Sequence, residues 1–163
     1  MALLARRSSL AICALAALVA LGAVPLTAGQ EMMGKEAMKG RAMAKSKYPF
    51  DETVSRLKQA IEGQQMMVVF TADHQAMLQM VGLQTKGMLG IEFFHPRYGK
   101  TIVENDHAAG IETPLRLVVM EGDMGTMITY YKPSHIFAKY PRLKALGEEL
   151  DAVLARITEA VTK

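Results

Sequence analysis

Only one cysteine, Cys13, occurs in the 163-residue chain, and it lies inside an N-terminal apolar run. Once that run is removed, no disulfide, thiolate nucleophile or cysteine-ligated metal is available, and packing must hold the domain unaided. Long apolar runs are scarce too. Leu10–Val24 covers about 15 residues, short of the ~20 that a membrane-spanning helix needs. Charge of one sign is also lacking, since 19 Lys+Arg face 16 Asp+Glu. Setting aside Arg6 and Arg7 leaves 17 against the same 16, and residues 48–163 carry 12 basic and 14 acidic groups. A mildly acidic domain without a basic stripe lacks the electrostatic footprint of a nucleic-acid binder. There is no nucleophile elbow, phosphate loop, dinucleotide glycine pattern or haem-attachment CxxCH. No two histidines have HxH, HxxH or HxxxH spacing, so any zinc site must be assembled from distant residues.

The chain opens with the parts of a secretory signal peptide: Arg6 and Arg7, then the apolar Leu10–Val24, then Pro25 and the small residues Thr27, Ala28 and Gly29. Cleavage after Gly29 leaves Gln30 first, and cleavage after Ala28 is the alternative. Ser9 stands where a twin-arginine signal wants an apolar residue. Ile12 is too large for a lipoprotein site at Cys13. The expected location is therefore periplasmic or secreted, with membrane contact only through the leader if it stays uncleaved. Gln30–Lys47, with Gly34 and Gly40 and few large apolar side chains except Met, reads as a flexible linker.

The folded part, 48–163, is organised around Leu115–Tyr131. This stretch reads as two strands joined by Gly122-Asp123-Met124-Gly125. Leu115, Leu117 and Val119 fall on one face of the first strand; Arg116, Val118 and Met120 fall on the other. Both faces are largely apolar. One suits helices, and the other needs a second cover such as a subunit or a ligand. Before this hairpin, Tyr48–Phe50 reads as the end of a short strand. Asp51 then caps a helix carrying Val54, Leu57, Ala60 and Ile61. Met66–Thr71 reads as a buried strand, and Asp73 as the cap of a short helix ended by Gly82. Gly87–His95 is another strand, and 97–114 a loop with a short helix. After the hairpin, Ser134–Ala138 makes a helical turn. Leu143, Leu146, Leu150, Val153, Leu154, Ile157 and Val161 then mark a long amphipathic helix. The order predicts an α+β domain, with a mainly antiparallel sheet, helices packed on one face and a long C-terminal helix.

Several short motifs in order resemble the bacterial "domain of unknown function 302" family. They are Phe50-Asp51-Glu52-Thr53-Val54, Asp73-His74 after a strand, Phe93 with Pro96, the Gly110–Leu115 stretch, and Tyr130-Tyr131 before Pro133. The resemblance covers about Tyr48 to Ala138. It implies a β-α-β(4)-α plan related to that of the TATA-binding protein, pairing as a dimer, and no defined activity. His95 departs from the pattern, which has Asn there, and Phe94 replaces a Gly.

Asp73-His74 is the leading candidate for chemistry, as an acid/base pair or as part of a ligand site. A carboxylate beside an imidazole can orient it, although Asp73 also has a structural use as a cap. His95 and Tyr130 are candidate ligand-binding residues at the same sheet edge if the strands adjoin, and both tyrosines can equally pack on the sheet. Asp106-His107 is a second acid–His pair, in the irregular segment, and His135 reads as surface. The 13 methionines raise copper, because thioether sulfur suits Cu(I). Met66, Met67, Met77, Met80, Met88, Met120 and Met127 lie where Met fills cores. Met32, Met33, Met38 and Met43 do not. Three readings remain: a homodimeric exported module holding a small molecule or metal, an enzyme using Asp73-His74, or an accessory protein with no small ligand.

Overall fold

In the computed structural model of the protein, the described residues are 38–163. The expected leader, 1–29, and the first part of the expected linker, 30–37, lie outside them. Strand β1 (Arg41–Lys45) leads to helix α1 (Phe50–Gly63), strand β2 (Met67–Asp73), helix α2 (His74–Gln79) and strand β3 (Met88–Phe94). Helix α3 (Pro96–Asn105) and a 3-10 helix (His107–Glu112) precede the hairpin β4 (Leu115–Gly122) and β5 (Gly125–Tyr131). Helix α4 (Pro133–Ile136), two 3-10 turns and helix α5 (Lys144–Thr162) complete the chain. The five strands form one sheet in the order β1-β5-β4-β3-β2, and every neighbouring pair is antiparallel.

The hairpin forms as its alternation predicts. Leu115, Leu117, Val119 and Ile128 are buried under the helices, while Arg116, Val118 and Met120 face the other side of β4. Helix α5 buries Leu150, Val153, Leu154, Ile157 and Val161 at 2% exposure or less. Each such side chain contributes about 1.5–3 kcal/mol of transfer free energy, so this stripe is a large share of the core. Helix α1 packs beside it through Leu57 and Ile61. Asp151 of α5 caps α4: its Oδ1 accepts from Ser134 N at 3.0 Å and its Oδ2 from Ser134 Oγ at 2.6 Å.

Four expectations are corrected. The strand read as buried over Met66–Thr71 is the edge strand β2, where Met67, Val69 and Phe70 are about half exposed. The linker assigned to 30–47 contains an edge strand, for β1 pairs with β5 from Arg41↔Tyr131 to Lys45↔Met127. Its inward residues are only Ala42 and Ala44. The strand is held by main-chain pairing to β5, which composition does not reveal. Phe50 starts α1 instead of ending a strand, and Pro49, not Asp51, occupies the cap position. The corner is fixed instead by the buried Ser46 and Thr53, whose hydroxyls lie 2.7 Å apart, and by Thr53 N donating to Pro49 O at 2.9 Å. The segment 97–114 is more regular than expected. Helix α3 buries Tyr98 and Ile102, and the 3-10 helix buries Ala109.

Gly147 marks the closest approach between α5 and α4. A Cβ there would lie 2.9 Å from Ser134 Cα and 3.0 Å from Pro133 O, both main-chain atoms that cannot swing aside. Helix propensity alone favours Ala over Gly by about 1 kcal/mol. Overpacking costs about 1–3 kcal/mol. Gly147→Ala is therefore expected to lower stability by roughly 1 kcal/mol in guanidinium titration, and a gain in stability would refute this packing argument.

Candidate functional site

The strand pleat sorts the side chains of the outer sheet face into rows. Arg41 pairs with Tyr131 and Arg116 with Glu92, and one further step of the β4–β5 register sets Tyr131 beside Arg116. The first row therefore reads Arg41, Tyr131, Arg116, Glu92, with Phe70 opposite Glu92 on β2. The second row is Met43, Thr129, Val118, Gly90 and Ala72. The third contains Lys45, Met127, Met120 and Met88.

Helix α2 opens with His74, which reaches back over the second row. A Cβ on Gly90 would lie only 3.3 Å from His74 Nε2 and 3.6 Å from Ala72 Cβ, so the small residues make the space for the ring. His74 is partly buried, and its imidazole has no hydrogen bond among the described residues. A cleft of about 310 Å³ opens here, lined by Arg41, His74, Arg116, Val118, Thr129, Tyr130 and Tyr131. Arg41 Nε donates to Thr129 Oγ1 at 2.8 Å, and Thr129 Oγ1 donates to Ala42 O at 3.2 Å. This chain of bonds lays the Arg41 stem along the sheet. A neighbouring cavity of about 340 Å³ shares Arg116 and Tyr131 and is lined by Glu92 and Glu112. It is the larger of the two, but His74 belongs to the smaller.

The predicted site residues separate. Asp73 Oδ1 accepts from Ala76 N at 2.9 Å, so this carboxylate caps α2 and does not orient His74. Asp106 does the same for the 3-10 helix, accepting from Ala108 N at 3.1 Å. Both Asp-His dipeptides are therefore helix starts, with the acid as cap and the histidine in the first turn. His95 caps α3, its Nδ1 accepting from Arg97 N at 3.0 Å. It does not approach His74. β2 and β3 are antiparallel, with Asp73↔Leu89 at one end and Met67↔Phe94 at the other. Five residues of strand, roughly 17 Å, separate Gly90 from His95. The Tyr130 phenol turns to the helix side, where a second cavity brings Tyr130 together with Asp151 and Ala155. Burial pushes this phenol above the ordinary tyrosine range, partly offset by the nearby Thr158 side chain. It borders the outer cleft only through its place on β5, whereas Tyr131 stands on the outer face.

Sequence reasoning missed Arg41, Arg116 and Thr129. The available signal was Arg116, the one cation in a strand whose only other charge, Glu121, stands next to the turn. Of the methionines weighed for copper, Met32 and Met33 lie outside the described residues, Met38 Sδ contacts Arg41 at 3.6 Å, and Met43 stands on the outer face. Met88, Met120 and Met127 lie side by side across three strands. Among the described residues, no group of three or more His, Cys, Asp or Glu is placed to hold a metal, and no helix is long and apolar enough to cross a membrane.

The architecture defines an α+β domain with one antiparallel sheet covered by helices on one face. The chain belongs to the family described as domain of unknown function DUF302, whose model matches residues 43–163. Its fold is similar to the crystal structure of an uncharacterized conserved DUF302 protein from Bacillus stearothermophilus. The TM-score is 0.71 at 21% identity, over 76% of this chain and 98% of that one. No curated protein matches the chain.

Two outcomes test this geometry. Gly90→Val fills the space under the ring, so the His74 imidazole resonances move while amides of the α1–α5 core hold still in two-dimensional NMR. Unmoved His74 signals would place the ring elsewhere. The raised Tyr130 phenol favours the folded state below about pH 10, and this contribution is lost as pH rises through its higher folded value. Absorbance titration of Tyr130→Phe is expected to lose one late-ionising phenol relative to the parent.

Proposed function

We propose that the protein is an exported, homodimeric module that binds a small ligand in the outer-face cleft beside His74. One observation carries this reading: a partly buried imidazole without a hydrogen-bond partner among the described residues sits over a glycine at the wall of a small-molecule-sized cleft. The ring nitrogens of His74 are not among the buried unpartnered atoms of the described residues, so they are open to a partner that enters the cleft.

Export is supported by the signal-peptide pattern of Met1–Gly29. Dimer formation is supported by exposed apolar side chains along the β2 edge and α2. Val69 is 49% exposed, Phe70 53% and Met77 51%, and Met80, Val81 and Leu83 continue the patch. An unpaired strand edge with such side chains is a surface that a second copy would cover. An enzyme reading loses its main motive because Asp73 is committed to the cap. A soft metal ion is a second reading, placed outside the cleft lining on the adjacent Met88-Met120-Met127 row.

Native mass spectrometry of protein purified from the periplasm tests all three parts. The expected spectrum is a dimer lacking the leader, starting at Gln30 or Gly29, with added mass that disappears in a folded His74→Ala variant. Added mass equal to copper would select the metal. A chain still beginning at Met1 would remove export, and a monomer at micromolar concentration would remove the dimer. Retained mass unaffected by His74→Ala would remove the cleft.

A further inference from the structure

Resting on the cleft reading above, we propose that the ligand is a small organic oxyanion, a carboxylate or a phosphate monoester. Its charged group bridges Arg41 and Arg116 above Tyr131, which stands between them in the row, and its body lies on Val118. The two arginines belong to one row of the sheet, two strands apart with β5 between them. That places their Cα atoms roughly 10 Å apart, a span that two inward-leaning guanidinium groups can close on one anion.

Among the described residues Arg41 has no carboxylate partner, whereas Arg116 shares part of its charge with Glu92. Arg41 is held through Thr129 Oγ1 and Met38 Sδ, both neutral. Arg116 faces Glu92 at 3.7 Å with its side chain 65% exposed, a loose pair longer than a hydrogen bond that leaves its donor fork available. His74 adds a third nitrogen-bearing group at the wall. The nearest other carboxylate along the groove, Glu112, is occupied by Lys139 Nζ at 2.8 Å and Tyr140 OH at 3.0 Å. The His74 end of the groove is therefore cationic and the Glu112 end is internally paired. The floor at the His74 end is the apolar Val118, so a bare inorganic ion would leave it uncovered. A cleft of about 310 Å³ admits a ligand of single-ring size.

The test compares benzoate and phenyl phosphate with benzamide, a neutral molecule matched to benzoate in shape, and with inorganic phosphate. Each is titrated into the isotope-labelled mature protein and followed by amide shifts. Benzoate or phenyl phosphate is expected to shift Gly90, Val118 and Thr129 and to bind at least about tenfold tighter than benzamide, with affinity falling as salt is added. The tighter of the two identifies carboxylate or phosphate as the natural head group. Inorganic phosphate is expected to bind more weakly than phenyl phosphate, and equal affinities would overturn the placement of the ligand body on Val118. Arg116→Gln is expected to abolish the preference over benzamide, and Arg116→Lys to restore part of it. Arg116 is exposed on the outer face, so folding survives both changes. Benzamide binding as tightly as benzoate would overturn the oxyanion assignment and leave the cleft standing. Shifts absent for all four probes would overturn the assignment and count against the cleft as well.

Discussion

One-sided burial of the central strand β4 is the constraint on which the rest of the domain depends. Leu115, Leu117 and Val119 must leave water, and α1 and α5 supply the cover. The same pleat forces Arg116, Val118 and Met120 to the opposite side, where among the described residues only the short α2 approaches β3. Because both long helices are committed to one face, the other is left as bands of side chains: a charged row, a row with small residues and a thioether row. The cleft follows from that division. It lies where α2 overhangs the small residues and the charged row runs alongside.

What was legible in the sequence was local. The hairpin, the amphipathic stripe of α5 and the capping of α2 by Asp73 are each declared by residues a few positions apart. β1 was not legible, because its pairing comes from the β5 main chain far along the sequence and its inward side chains are only alanines. Helix α3 was hard to read for a similar reason: it buries just Tyr98 and Ile102, too few to show a period. His74 lines the cleft, but the pairing with Asp73 that adjacency suggests does not form. Adjacency at a helix start serves the cap, as Asp106-His107 repeats. His95 was placed near His74 on the assumption that their strands adjoin. They do adjoin, but antiparallel pairing sends the two histidines to opposite ends.

Membership of a family without an assigned activity sets the architecture and leaves the chemistry to particular side chains. At 21% identity, the similar crystal structure speaks for the shared fold alone. The informative features here are individual: a glycine that admits a ring, a guanidinium laid flat by a threonine, and an acid withdrawn into a neighbouring pair. None requires unusual residues. Each depends on which neighbour the register supplies.

The bond from Arg41 to Thr129 joins residues 88 positions apart, so the cleft closes one of the longest loops in the domain. Bringing such distant segments together costs chain entropy before any contact repays it, and pairings of this kind are slow to form. A nascent chain that has not yet released β5 has no Arg41 in place, however well its helices have formed. β1 is also an edge strand, and its docking is the step that both completes the sheet and delivers a wall of the cleft. Anything held by Arg41 therefore draws β1 onto the sheet, and by linkage the docked strand tightens its hold on that occupant. A ligand of the proposed cleft that bound Arg41 would thus be coupled to the pairing of β1 with β5.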